Sequence, residues 1–209
     1  ACQTAVQSRN INSGQSCISA KRFIVVKKRA EEFEKLYLQD LRALKIGDPL
    51  DKTTDIGPLV SSDIRSAIHL LVQDAIEKGG IVLAGGSFID GRGFFYKPTL
   101  IRLANSSAKL MNEESFGPVA ALIHVKNEDE AIAVANRTSF GLGASIWSTD
   151  IKKSELLAKK IEAGTIFING MVRSDPRLPF GGIKKSGIGR ELGSFGLKEF
   201  VNIKTTVVA

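Results

Sequence analysis

The run Asn12-Ser13-Gly14-Gln15-Ser16-Cys17 sets a thiol among small polar neighbours that leave room for a substrate. The thiolate is the reactive form of cysteine, and an unperturbed thiol is mostly protonated at neutral pH. Exposed backbone N–H groups at a following helix start would favour both a thiolate and an oxyanion, a setting that suits nucleophilic chemistry at Cys17. Taken alone, the same cysteine reads as a small, buried, inert core residue. A second block, Glu113-Glu114-Ser115-Phe116-Gly117-Pro118-Val119, reads by spacing as a turn with exposed acids and one buried ring. Its chemistry allows more, since a carboxylate accepts two hydroxyl hydrogens and an aromatic wall positions a flat ring. A third block, Pro179-Phe180-Gly181-Gly182-Ile183-Lys184-Lys185-Ser186-Gly187, is a glycine loop without the phosphate-loop pattern. Gly187-Ile188-Gly189 is not continued at dinucleotide-fingerprint spacing either. Its glycines predict close backbone approach or positive φ.

These blocks are positioned by alternating strand and helix patterns. Residues 23–26 predict a strand, and Phe33, Leu36, Tyr37, Leu41 and Leu44 predict a helix from about residue 31, stopped by Gly47-Asp48-Pro49. A second helix is predicted to be capped at Ser61 or Ser62 and to end at Gly79-Gly80. Strands are expected at 81–83, 94–101, 119–125, 144–147 and 165–168, with helices at 129–136 and 150–161. Such alternation predicts an α/β domain of three layers, with a largely parallel twisted sheet flanked by helices. Residues 169–193 lack periodicity and read as a functional loop. The tail at 201–208 alternates as a strand does and is suited to pairing with another chain's sheet edge.

Of 209 residues, 43% are hydrophobic and 24% charged, enough for a sizeable core. The net charge of +7 is dispersed, with Lys27-Lys28-Arg29 the one tight run, which argues against a nucleic-acid partner. Cys2 and Cys17 have no metal-ligand spacing and make no disulfide scaffold, in keeping with a reducing cytoplasm. No apolar run reaches membrane-spanning length. His69, in a helical pattern, and His124, in a strand pattern, have no partners at ligand spacing and read as structural. The opening Ala1-Cys2-Gln3-Thr4-Ala5-Val6 reads as the middle of a helix, so the chain is expected to be a piece of something longer.

In this order, the three blocks resemble the C-terminal half of the aldehyde dehydrogenase superfamily, from about Thr4 to the end. The resemblance implies that Cys17 is the catalytic nucleophile, that Glu114 binds the nicotinamide ribose and that Phe116 lies against the nicotinamide. It implies NAD or NADP as cofactor, a small aldehyde as substrate and a homo-oligomer, with no membrane and no nucleic acid. Residues 1–190 would be the catalytic domain and 191–209 a return segment with an oligomerisation strand. The main cofactor domain, the glutamate base and the oxyanion-hole asparagine would lie outside this chain, leaving it inactive alone. The wording around Cys17 and from Phe167 to Gly182 is similar to the succinate-semialdehyde dehydrogenase branch, which implies that Ser16 and Ser174 hold the distal carboxylate. Some relatives have arginine where Ile11 stands here, and Arg173 is a candidate for extra positive charge. The alternatives are an acylating relative that passes the acyl group to coenzyme A, or a non-catalytic remnant that persists by self-association.

Overall fold

The structure, a computed structural model, describes residues 1–209. Helix α1 (Cys2–Asn10) leads through a short 3-10 turn to β1 (Arg22–Val26), which runs directly into α2 (Lys27–Arg42). Then follow α3 (Ser62–Glu77), β2 (Ile81–Ala84), β3 (Thr99–Leu103), β4 (Val119–Val125) and α4 (Glu128–Asn136). The last third holds β5 (Phe140–Gly141), β6 (Gly143–Ile146), α5 (Ile151–Ala158), β7 (Thr165–Ile168), β8 (Ile183–Lys184) and α6 (Gly193–Lys198).

The main sheet has the order β1-β4-β3-β2, with β1, β4 and β3 parallel and β2 antiparallel at the edge. Its central strand, β4, is buried at every residue except His124, as a strand covered on both faces must be. The two-residue alternation of strand side chains sorts the core. Leu100, Ala120 and Leu122 point to one face and pack with Val6 of α1 and Tyr37 and Leu41 of α2. Ile101, Leu103, Ala121 and Ile123 point to the other and pack with Ile68, Leu71, Val72 and Ala75 of α3 and Val134 of α4. The result is the expected α/β sandwich of helices, sheet and helices. Two small sheets extend it, β6–β7 parallel and β5–β8 antiparallel.

Helix starts are fixed by side-chain caps. Ser61 Oγ accepts from the Ile64 amide at 3.3 Å, Asn127 from Glu130 at 3.0 Å and Asp150 from Lys153 at 2.9 Å. Arg22 closes the far end of α4, donating to the carbonyls of Val134 at 3.1 Å and Ala135 at 2.9 Å.

Three expectations are corrected. Helix α2 begins at Lys27, because Lys27, Lys28 and Arg29 form an exposed first turn that carries no apolar signal. The strand expected at 94–101 is Thr99–Leu103, since Pro98 has no amide for a ladder and the residues before it make only isolated bridges from Phe94 to Leu59 and from Tyr96 to Phe88. Helix α5 stops at Ala158 instead of continuing to 161. Within this single chain residues 202–209 have no regular structure and are exposed, since no edge of the chain's own sheets receives them.

Candidate active site

The site is built from the segment before Cys17. Asn12, Ser13 and Gly14 all take left-handed backbone conformations, with φ of 50°, 54° and 76°. Such conformations cost about 1–3 kcal/mol each for non-glycine residues, so they persist only where contacts over-determine them. Those contacts are present. Ser13 Oγ donates to the Gly57 carbonyl and accepts from the Gly57 amide, both at 3.1 Å. Asn12 Nδ2 donates to the Gln15 carbonyl at 3.1 Å, and Gln15 Oε1 accepts from the Val60 amide at 2.9 Å. From inside, Arg9 Nη2 donates to the Gly14 carbonyl at 2.7 Å, and the same guanidinium reaches Ser115 Oγ and its carbonyl at 3.4 Å. Arg9 is fully buried, and burial pushes its pKa down to about 10, against the opposing influence of Tyr37 and Glu114. It therefore stays charged at neutral pH.

This scaffold presents Cys17 at the surface in a turn closed by the Ser19 amide on the Ser16 carbonyl at 3.1 Å. The thiol is exposed and is not a core residue. No helix starts after it: the turn leads straight to β1, so no following helix N-terminus acts on the thiol. The charge at this position comes from Lys21, whose Nζ donates to the carbonyls of Ser16 (3.3 Å), Cys17 (3.0 Å) and Ser19 (3.1 Å) and pairs with Glu114 Oε1 at 3.1 Å. Burial lowers the Lys21 pKa and the nearby Arg9 charge adds to this, while Glu114 opposes both. The Cys17 amide has no acceptor within the chain, so it is available to an oxyanion.

Glu114 is exposed, Ser115 buried and Phe116 half-buried on the segment leading into β4. With Oε1 on Lys21, the second oxygen of Glu114 is free to accept hydroxyl hydrogens, and the Phe116 ring is partly open. An acceptor beside an aromatic wall is the kind of arrangement that holds a sugar hydroxyl next to a flat ring. Cys17 and Glu114 are thus brought together through Lys21. Ser16 lies beside Cys17, whereas Ser174 lies on the exposed loop after β7 and makes no hydrogen bond to the Cys17 turn. On that loop Arg177 is engaged with Asp175 through Nε at 2.9 Å and Nη2 at 2.7 Å, while Arg173 is exposed and has no ion-pair partner.

The Arg177 side chain, then its backbone amide, holds the Asp175 carboxyl down to about 2. A depressed carboxylate pKa means that the pair pins the loop above the ordinary carboxylate range and is lost as pH falls through about 2. Arg177→Ala removes the side-chain donors and leaves the backbone amide in place, so the Asp175 midpoint is expected to rise from about 2 part of the way toward the ordinary carboxylate value, as read by NMR titration of its carboxyl carbon. An unchanged midpoint would show that the pair does not form.

The Pro179–Gly187 loop packs as its glycines predict: a Cβ on Gly164 would stand 1.8 Å from the Gly181 carbonyl oxygen. A cavity of about 390 Å³ lies between this loop, Arg190, Glu191 and Phe200, and a second of about 320 Å³ lies between Leu41, Leu83 and Pro98. Neither is lined by the Cys17 turn or by Glu114 and Phe116, and Cys17 itself is exposed. The histidines are held structurally. His69 Nδ1 is 3.1 Å from the Tyr96 hydroxyl, and His124 Nε2 is 2.9 Å from Glu34 but poorly aimed for a hydrogen bond. Sequence patterns passed over Arg9 and Lys21 because both are cations on buried surfaces. The one available signal was the Lys21-Arg22 pair set immediately before an apolar strand.

Fold and site together define an α/β domain built around an exposed, charge-clamped cysteine. The chain belongs to the aldehyde dehydrogenase family, whose model matches residues 1–206. It is 50% identical over its whole length to a probable succinate-semialdehyde dehydrogenase [NADP(+)] of Synechocystis sp., covering 46% of that protein. It is 45% identical, again over its whole length and 46% of the relative, to succinate-semialdehyde dehydrogenase [NADP(+)] 1 of Mycobacterium tuberculosis. Among solved structures, succinic semialdehyde dehydrogenase from Streptococcus pyogenes in complex with NADP+ superposes with a TM-score of 0.92 at 40% identity, covering 96% of this chain and 44% of that one. The chain spans about half the length of the curated relatives it matches. No helix is long and apolar enough to cross a membrane.

Proposed function

We propose that the chain carries the nucleophile and the nicotinamide-ribose contact of an NADP-dependent succinate-semialdehyde dehydrogenase. The observation that carries this reading is the exposed Cys17 turn, clamped by Lys21 to Glu114 with the Cys17 amide free. The Cys17 thiolate adds to the aldehyde carbon, the carbonyl electron pair moves onto oxygen, and the free Cys17 amide donates a hydrogen bond to that oxyanion. A nicotinamide cofactor, held by Glu114 and Phe116, would supply the hydride acceptor that lets the carbonyl on Cys17 re-form as a thioester. Water then releases succinate and returns the thiol. Glu114 and Phe116 hold the riboside, while Ser16 and Ser174, with the unpaired Arg173, receive the distal carboxylate. The NADP(+) in the names of these relatives supports NADP over NAD.

The exposure of Cys17 supports a division of labour in which these 209 residues do not supply the deacylation base or most of the cofactor surface. Alone, they are expected to reduce no NADP. The exposed apolar tail, with Ile203 at 84% and Val208 at 92% exposure, supports self-association through a partner's sheet edge.

The test uses Cys2 as an internal control. Succinic semialdehyde is expected to slow iodoacetamide labelling of Cys17 several-fold, by reversible addition, and to leave Cys2 unchanged. In the same preparation, reduced-nicotinamide absorbance should not rise. Equal labelling with and without aldehyde would remove the nucleophile reading, and turnover lost in Cys17→Ser would overturn the division of labour.

A further inference from the structure

We propose that Lys21 is a positioning residue that couples the reactivity of Cys17 to the state of Glu114. The inference deepens the reading above and rests on it for the roles of those two residues, while the linkage itself stands on geometry. Cys17 takes part in one hydrogen bond in the whole chain, the one its carbonyl accepts from Lys21 Nζ at 3.0 Å. The Glu114 carboxylate likewise has one polar partner, the same Nζ at 3.1 Å. A single ammonium is therefore the sole hydrogen-bond partner of the Cys17 residue, through its carbonyl, and of the Glu114 carboxylate.

An ammonium has three N–H donors, and here four acceptors surround it: the carbonyls of Ser16, Cys17 and Ser19, and the Glu114 carboxylate. The site is over-subscribed, so a change at one acceptor redistributes the others. Lys21 is only 17% exposed, against 42% for Glu114, so it is shielded from solvent while its partner is open to a ligand. Arg9 does not duplicate it, because its donors go to Gly14 and Ser115 on the inner side of the same two segments. Arg9 holds the segments together, and Lys21 joins the two reacting positions. Drawing Glu114 toward a ribose hydroxyl or removing its charge leaves the ammonium less neutralised and nearer the thiol turn. Cys17 then reacts faster.

The experiment is a double-mutant cycle read by iodoacetamide labelling of Cys17 at fixed pH, with Cys2 as control, in a chain carrying Lys21→Met, Glu114→Gln or both. Lys21→Met keeps the alkyl stem and removes the donors. It is expected to slow Cys17 labelling about tenfold, the loss of one charge-assisted contact. Glu114→Gln is expected to speed it about threefold, the scale of a half-exposed ion pair. In the Lys21→Met background, Glu114→Gln should have no further effect. Additive effects, or Cys2 rates that move in step with those of Cys17, would reduce Lys21 to a structural residue and overturn the proposal. Should Lys21→Met fail to fold, Glu114→Gln decides alone. It leaves the three carbonyl contacts intact, and an unchanged Cys17 rate in it refutes the coupling. Labelling needs neither aldehyde nor cofactor, so the coupling can fail while aldehyde protection of Cys17 succeeds, and the reverse.

Discussion

Gly14→Ala is expected to destabilise the domain by about 4 kcal/mol, from about 1 for the left-handed backbone and about 3 for a contact that cannot relax. Gly14 has φ +76°, and a Cβ built on it would stand 2.3 Å from both the carbonyl carbon and oxygen of Gly117 and 2.8 Å from the Pro118 nitrogen. All three neighbours are backbone, on the segment that bears Glu114 and leads into the central strand β4, so no side chain can swing away. Relief must come from parting the Cys17 turn from that segment. This breaks the Arg9 bond to the Gly14 carbonyl and stretches the Lys21 bridge. A loss of about 4 kcal/mol is a large share of a domain's usual 5–15 kcal/mol. It would lower the urea midpoint by roughly 2 M at a slope of about 2 kcal/mol/M. Gly79→Ala separates the two components. Its φ is +81°, but nothing lies within 4 Å of the added carbon, so it should cost only about 1 kcal/mol. Equal midpoint shifts for the two variants would mean that the close approach of Gly14 to Gly117 contributes nothing.

Gly164→Ala is expected to cost about 3 kcal/mol through close approach alone. No left-handed φ applies here. Its Cβ would lie 1.8 Å from the Gly181 carbonyl oxygen, 2.8 Å from the Gly181 carbon and 3.1 Å from the Gly182 Cα. Gly164 itself donates its amide to the Gly141 carbonyl at 3.0 Å, so it is held from the other side as well. The methyl would have to lift the Gly181-Gly182 turn off the start of β7. Amide hydrogen exchange should quicken in β6 and β7 while the main sheet keeps its protection, since the small β6–β7 sheet is hydrogen-bonded separately from it. Gly170→Ala, whose nearest neighbour is Phe167 Cδ1 at 3.5 Å, serves as the ordinary-contact control. A urea midpoint for Gly164→Ala that matches this control would contradict the packing described.

Much of the fold was legible because it is written in local periodicity. The near-continuous apolar run of Val119–Val125 and the apolar stripe of α3 each name their own partners, one for a strand covered on both faces and one for a single helix face. Boundaries were less legible where the deciding group carries no pattern, as with the exposed basic first turn of α2 or the missing amide of Pro98. The tail alternates as a strand should, yet pairing is a property of two edges, and a sequence contains only one of them.

The same division runs through the site. By itself, the sequence determined that a cysteine, a carboxylate and an aromatic ring stand in three blocks that resemble one enzyme family, because residue identity and order are local facts. Only the tertiary structure decided that Cys17 is exposed in a turn, with no helix start behind it. It also decided that Lys21 and Arg9 bind the cysteine segment to a segment about a hundred residues away, as in the Arg9–Ser115 contact. Buried cations follow no hydrophobic period, since their positions are set by the carbonyls and carboxylates that neutralise them, and those groups meet only when the chain has folded.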